Sequence, residues 1–568
     1  MKKMWLLVFL VFILTGSAFA QNRYWIFFKD KGEYSRLSYA EQQIVVDQYL
    51  TEQARERRLK RAMISLNKTS ALQDLPVDET YISQVQQMGF NIHGKSRWFN
   101  AVSGTASEEV LSQINSLPFV ESISPVKSWT FLRESETTSP GTGLPPTPTP
   151  QIFDFDYGPS AFQTQFHNID KLHEKDLNGT GVIVAIFDTG FRLENPSLQH
   201  IQSQLIAQYD FIQKDSVTAN QPGDAPGQDG HGTLVLSILG GLENGQLVGP
   251  AYGAQFILAK TEIVNEEIHL EEDNWAMAAE WSEALGADIV STSVGYSTFD
   301  EGQFSYTYAD MNGKTTIVTR AANRLAQLGV LVVSSAGNEG NTPWHYITAP
   351  ADGFYVLAVG ALNSSNEVAS FSSRGPTFDG RIKPDVSALG VGLYGATTGT
   401  SFQRADGTSV SCPLTAGIAA QILQAVPELK LLNILDIFKR SSDSSLHPDN
   451  NRGWGKVDAL AAWTLATGGN FSRPEAYRAE PPRPNPYLRN SGVIFFPVDL
   501  PESALIKIDI YNILGQKVAS LRYQGTQSHN LVLWDGRNLS GHFVPDGIYI
   551  YRIHTGGWEK FGKITIIN

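Results

Sequence analysis

Cysteine is almost absent. The 568 residues contain one, Cys412, which excludes an intramolecular disulfide and any metal site built on several cysteines. Positive charge is also scarce: 44 Lys and Arg against 57 Asp and Glu leave a net charge of −13 and an isoelectric point near 5.4. No basic surplus offers itself to phosphates, so nucleic acid is not an expected partner. Charged residues make up 18% of the chain and apolar ones 42%, too little charge for an acidic disordered chain or a coiled coil. Beyond residue 20 no stretch reaches eighteen uninterrupted apolar residues, so no transmembrane segment is expected in the mature protein. At about 150 residues per domain the length predicts three or four folded units.

Lys2 and Lys3 precede an apolar run at 4–14, and Ala18-Phe19-Ala20 supplies the small residues of a signal-peptidase site. The run is too short to span about 30 Å of hydrocarbon. The residue directly after the cleavage point is Gln21 rather than cysteine, which excludes a bacterial lipoprotein. Residues 1–20 are expected to be a secretory signal, with the mature protein secreted or at the cell surface. A lone thiol in an exported protein is usually hidden, so Cys412 is expected to be a small buried residue rather than a reactive one.

Two proline-rich stretches divide the chain. Five prolines fall between Pro140 and Pro150, and five more between Pro474 and Pro486. Both read as extended, exposed tethers, placed at 131–154 and 468–489. Residues 21–130 read as a small α+β unit, with strands at 23–29, 95–102 and 120–124 and helices at 39–59 and 108–117. Residues 155–467 alternate short, wholly apolar strands (182–187, 256–259, 289–293, 330–334, 355–359) with helical runs such as 272–285. That pattern predicts an α/β fold with a mostly parallel sheet covered by helices on both faces. Residues 490–568 alternate Ile506, Ile508 and Ile510 against Lys507 and Asp509, which predicts a small antiparallel β-sandwich.

In a parallel sheet, functional groups gather beyond the carboxyl ends of the strands. Asp188-Thr189-Gly190 follows the first apolar strand, where a carboxylate is rigidly placed. The same tripeptide marks aspartic proteases, but those need two carboxylates sharing a proton, and only one such motif occurs. Asp229-Gly230-His231-Gly232-Thr233 opens a helix with His231 between glycines, alone among eleven histidines in that setting. Ser335-Ala336-Gly337-Asn338-Glu339-Gly340 ends another strand and presents an amide donor. Asp406-Gly407-Thr408-Ser409-Val410-Ser411-Cys412-Pro413 leads into an apolar helix, where an unpaired N–H and the helix dipole suit a nucleophile whose product is an oxyanion. Gly399-Thr400-Ser401 lacks the following proline and small-residue helix and is a decoy.

The order Asp, His, Asn, Ser, each in a short fixed context, resembles subtilisin-like serine peptidases over about 155–465, at AIFDTG, DGHGT, SSAGNEG and GTSVSCP. No G-x-S-x-G occurs, which disfavours an α/β-hydrolase. The resemblance implies Ser409 as nucleophile, His231 as general base and acid, Asp188 as the group that holds the imidazole, and Asn338 as oxyanion donor. By the same resemblance Ser293, Val294 and Gly295 form one wall of the primary specificity pocket, and Ser335, Ala336 and Gly337 the other. Both walls are small or apolar, which suggests a medium or large apolar side chain in the substrate. Val294 stands where the family usually has Leu, and Ser411-Cys412 replaces a small-Ser pair. Cys412 lies three residues beyond Ser409, so a bulky thiol reagent is expected to hinder the site indirectly. No cofactor is required for such chemistry, and structural calcium is left open because no oxygen-rich loop is diagnostic.

The 21–130 unit resembles subtilisin inhibitor-type propeptides at Phe99-Asn100-Ala101-Val102-Ser103 and Leu117-Pro118-Phe119-Val120, which implies a folding aid and inhibitor removed by self-processing. Trp534-Asp535-Gly536-Arg537-Asn538, Gly541 and Gly547-Ile548-Tyr549 resemble C-terminal sorting domains of type IX secretion, which implies export across an outer membrane with the secretion machinery as partner. The expected function is a secreted, zymogenic serine endopeptidase acting on proteins or peptides. The competing class is a catalytically silent surface-binding protein on the same fold.

Overall fold

The computed structural model describes residues 23–63, 72–125, 155–300 and 305–468, and most of the C-terminal part: 477–479, 481–482, 485–488, 494–501, 504–525 and 529–567. The expected signal at 1–20 and tether at 131–154 lie outside these, as does most of 468–489.

The middle part is built on seven strands, in the order Val386–Leu389, Val356–Leu362, Leu331–Ser335, Ile289–Thr292, Ile183–Asp188, Gln255–Lys260 and Leu205–Asp210. Every pairing among them is parallel. Successive side chains on a strand point to opposite faces, and both faces are buried. Val184, Ile186, Leu258, Leu331 and Val333 join one apolar cluster with the helices Gly230–Gly240 and Thr408–Ala425. Ala185, Phe187, Ile257, Val290 and Val332 join another with the helices Leu270–Leu285 and Ile317–Gln327. The strands read from sequence are present to within a few residues. Leu205–Asp210 and Val386–Leu389, at the two sheet edges, break the expected pattern: the first is six residues long but half-exposed with polar positions, and the second has only four residues.

The N-terminal domain is a four-stranded antiparallel sheet, Asn91–Ser96, Ala101–Thr105, Arg23–Phe28 and Val120–Pro125 in spatial order. The helices Glu79–Gln87 and Glu108–Asn115 cover one of its faces. The expected strand at 95–102 is two strands separated by a turn at 97–100, with Asn100 at φ 50. The expected helix at 39–59 is two, Tyr39–Asp47 and Glu52–Arg61, because the Thr51 hydroxyl accepts from the Ala54 N–H and starts the second.

The opposite side of this domain rests on the Leu270–Leu285 helix through polar contacts. Trp25 Nε1 donates to Asp273 Oδ1 at 2.7 Å. The Arg97 and Trp98 N–H groups donate to Glu280 at 3.0 and 3.2 Å. Arg57 and Arg58 both pair with Glu283, and Arg58 also reaches Asp74 at 2.7 Å. All four of these charged side chains are buried.

Residues 494–567 form the expected sandwich, a five-stranded and a three-stranded sheet around one apolar core containing Ile506, Ile508, Ile510, Trp534 and Tyr551. Arg478–Ala479 and Tyr487–Leu488 supply two of its short strands. The sandwich therefore reaches back into the stretch read as tether.

Glu283→Ala would leave buried Arg57 without its paired carboxylate and Arg58 with Asp74 alone. It should destabilise the chain by about 3–5 kcal/mol in urea unfolding with the N-terminal domain attached. Glu79→Ala, which removes an exposed pair with Lys95, should cost less than about 1 kcal/mol.

Candidate active site

Ile183–Asp188 is buried along its whole length and ends on a carboxylate that is itself fully buried. Asp188 Oδ1 accepts from the Thr189 N–H at 2.8 Å and sits 2.7 Å from His231 Nδ1. Facing a carboxylate oxygen, Nδ1 carries the proton, which leaves Nε2 as the basic nitrogen. Asp188 Oδ2 is buried with no partner among the described residues. Gly232 lets the helix start approach this closely, since a Cβ there would lie 2.2 Å from the Gly190 carbonyl oxygen and 3.1 Å from Asp188 Cβ.

Ser409 lies in the first turn of the Thr408–Ala425 helix, where its N–H falls outside the intrahelical ladder. Four residues on, Pro413 lacks the N–H that would bond the Ser409 carbonyl; Ser293 Oγ donates to that carbonyl instead, at 2.8 Å. The strand Leu331–Ser335 leads into Asn338, whose Oδ1 accepts from the Thr408 N–H at 2.9 Å and its hydroxyl at 3.0 Å. With the amide oxygen thus committed, Nδ2 is the end left to face the cleft. A Cβ on Gly407 would sit 2.7 Å from Ser409 Oγ and 3.5 Å from both Asn338 Nδ2 and Ser409 N. The three groups are therefore close neighbours, and a side chain at position 407, where φ is +153, would crowd the Ser409 hydroxyl.

The decoy Ser401 lies elsewhere. It is exposed in the turn between Leu393–Ala396 and Phe402–Ala405, with its hydroxyl 2.9 Å from Thr397 Oγ1. The two expected pocket walls leave adjacent strands, since Thr292 pairs with Ser334. Ser293 and Ser335 are nearly buried and Ala336 fully so.

Two residues went unread in the sequence. Gln228 Nε2 donates to the carbonyls of Thr189, at 2.8 Å, and Glu262, and its Oε1 accepts from the Val264 N–H at 3.0 Å. It locks the Asp188 turn to the segment after the neighbouring strand. The Glu262 carboxyl accepts from Tyr296 Oη at 2.7 Å, and burial pushes it up to about 7. Among the described residues no group of three or more His, Cys, Asp or Glu side chains is arranged to hold a metal ion, so no residue is assigned to calcium. No helix among them is long and apolar enough to cross a membrane.

Residues 179–455 match the sequence model of the subtilase family, peptidase S8, and residues 23–140 match the peptidase S8 propeptide domain of Bacteroidota. The chain carries a subtilase peptidase domain. The serine protease AprX of Bacillus subtilis (strain 168) is 30% identical over 308 residues, 50% of this chain and 66% of AprX. Subtilisin BL of Lederbergia lenta is 28% identical over 293 residues, 51% of this chain and 93% of that protein. The subtilisin-like protease SBT6.1 of Arabidopsis thaliana is 27% identical over 319 residues, 53% of this chain but 28% of the relative. This chain thus spans less than two thirds of SBT6.1 and of AprX, and about half of it lies outside each alignment.

Cys412 lies beneath the subtilase site. It is fully buried, with Sγ 3.4 Å from the Val333 carbonyl oxygen and 3.5 Å from that of Thr292, and burial pushes the thiol up to about 12. The expectation that a thiol reagent would hinder the site is corrected, because no reagent reaches this sulfur. Native protein at pH 8 should take up no thiol reagent, and denatured protein one equivalent; labelling of the native form would contradict the burial.

Proposed function

We propose that the chain is a secreted subtilisin-like serine endopeptidase made as a self-processing zymogen. The observation that carries this reading is the clustering of Ser409 Oγ, Ser409 N and Asn338 Nδ2, all within 3.5 Å of the Cβ position of Gly407, together with the Asp188–His231 pair. A scissile carbonyl docked against that cluster would meet a nucleophile and two donors. Ser409 Oγ attacks the carbonyl carbon and gives its proton to His231 Nε2. Asp188, already 2.7 Å from Nδ1, stabilises the imidazolium that results. The tetrahedral oxyanion is held by Asn338 Nδ2 and the Ser409 N–H. Collapse of the intermediate expels the amine, which takes the proton from His231, and leaves an ester on Ser409. Water activated by the same imidazole hydrolyses that acyl-enzyme.

Residues 21–130 act, in this reading, as the propeptide, a template and temporary inhibitor. A parallel sheet of non-local contacts folds slowly unaided, and the docking of this domain on Leu270–Leu285 pins a crossover helix of that sheet. Residues 1–20 serve as the signal peptide, and 490–568 as a type IX sorting domain that delivers the enzyme across an outer membrane.

A fluorophosphonate probe should give one adduct on mature protein, mapping to Ser409. Mature protein left unlabelled would favour the silent binding protein. Ser409→Ala should fold but keep its N-terminal domain covalently attached, read by intact mass, whereas normal processing would refute self-maturation. Asn338→Ala should lower kcat by about 10²–10³, a scale taken from subtilisin itself.

A further inference from the structure

The helix Glu52–Arg61 is packed with its charged side inward. Its buried residues are Ala54, Arg57, Arg58 and Arg61, whereas Leu59 is 75% exposed. Spacings of three and four put the buried residues on one side, so the packed stripe carries three guanidinium groups. Their acceptors belong to the peptidase domain and lie at the carboxyl ends of Leu270–Leu285 and Ile317–Gln327. Arg58 Nε and Nη2 donate to the two oxygens of Glu283 at 2.8 and 2.7 Å. Arg57 pairs with the same carboxylate, and its Nη1 donates to the Glu283 and Ala287 carbonyls at 3.2 and 2.8 Å. Arg61 reaches Asp288 Oδ1 at 3.2 Å and the Pro427 carbonyl at 3.1 Å. Carbonyls at a helix end lack intrahelical donors and carry partial negative charge, which favours cations there.

These acceptors are positioned by the peptidase domain itself. Asp288 Oδ2 accepts from the Ile183 N–H at 2.9 Å, and the Asp288 carbonyl accepts from the Leu331 N–H at 2.9 Å, which ties it to the starts of two strands. Gly286, at φ +105, and Gly329, at φ +91, follow the two helices and leave the seat open. A Cβ on the first would lie 2.7 Å from Gln53 Cβ, and on the second 2.8 Å from the Arg61 carbonyl carbon. Removal of the N-terminal domain takes away Asp74 and the three arginines together. It leaves Glu283 and Asp288 in place, with Arg324, which pairs with Asp74 at 3.4 Å, as a neighbouring cation of the peptidase domain. The seat lies at the amino ends of the strands, so roughly 17 Å of strand separates Ile183 from Asp188 at the catalytic end.

We infer that this seat is an exosite of the matured enzyme, which captures an arginine-bearing helix of another protein, with arginines at positions i, i+1 and i+4. The inference rests on the self-processing reading, which supplies the uncovering. The occupant is set by charge and shape. An apolar helix would bury Glu283 unpaired, which is heavily penalised. A lysine is a point charge and cannot span a carboxylate and a carbonyl as the planar guanidinium of Arg57 does. A captured protein would be held at the end of the sheet away from the cleft, leaving the cleft open to it.

The test uses matured enzyme inactivated at Ser409 by a fluorophosphonate, and fluorescent peptides read by anisotropy. One peptide is residues 48–63; another is an unrelated alanine-based helix with arginines at the same three spacings. Both should bind, within tenfold of each other, and more weakly as salt is raised. Replacing the three arginines by lysine should weaken binding at least tenfold, and by glutamine should abolish it. Glu283→Gln in the enzyme should weaken both peptides at least tenfold; the peptide variants keep the inference testable if that enzyme does not fold. Ser409→Ala protein with its N-terminal domain attached should bind neither peptide, because the seat is filled. Binding of residues 48–63 alone would show a seat reserved for the chain's own domain and would overturn the inference, as would equal binding of the glutamine peptides or no binding at all. An N-terminal domain never removed, read by intact mass, would overturn it together with the self-processing reading.

Discussion

Parallel pairing of the seven central strands is the constraint on which the site depends. Because all of them run the same way, their carboxyl ends lie along one edge. Asp188 ends one strand, and Glu262, Ser293 and Asn338 follow shortly after the ends of three others, so all four lie along that edge. Ile183–Asp188 sits where the order of strand addition reverses. Earlier crossovers build toward Leu205–Asp210, and later ones build the other way from Ile289–Thr292. Such a reversal opens a crevice, since the connections on its two sides depart in opposite directions. The helix carrying Ser409 then closes that crevice from the face opposite the N-terminal domain. Its position is fixed by apolar packing below and, above, by the bonds from Asn338 to Thr408 and from Ser293 to the Ser409 carbonyl.

The other face is organised by charge. Asp273, Glu280 and Glu283 lie at spacings of seven and three on the Leu270–Leu285 helix, which sets them along one side. Each is answered by the N-terminal domain: Trp25, the turn at 97–98, and the pair Arg57 and Arg58. Buried ion pairs add little net stability over apolar packing but penalise misplacement heavily. An interface of this kind specifies one docked arrangement. It also leaves behind a helix whose exposed acids are readily hydrated if the cover departs, which a large apolar interface would not. That property suits a domain meant to be removed.

The chemistry was legible in the sequence because each group is held by a local rule. Asp188 directly follows a buried apolar strand, His231 lies between two glycines, and Ser409 starts a helix of small residues. What escaped notice depends on partners far along the chain. Trp98 and Phe99 have strand-like character, yet 97–100 is a turn, because Glu280 accepts the backbone N–H groups of Arg97 and Trp98 from 182 or more residues away. The helix Glu79–Gln87 buries only Ile82 and Val85, too few apolar positions to stand out from a polar loop. Gln228 and Glu262 carry ordinary side chains whose roles exist only after two strand ends meet.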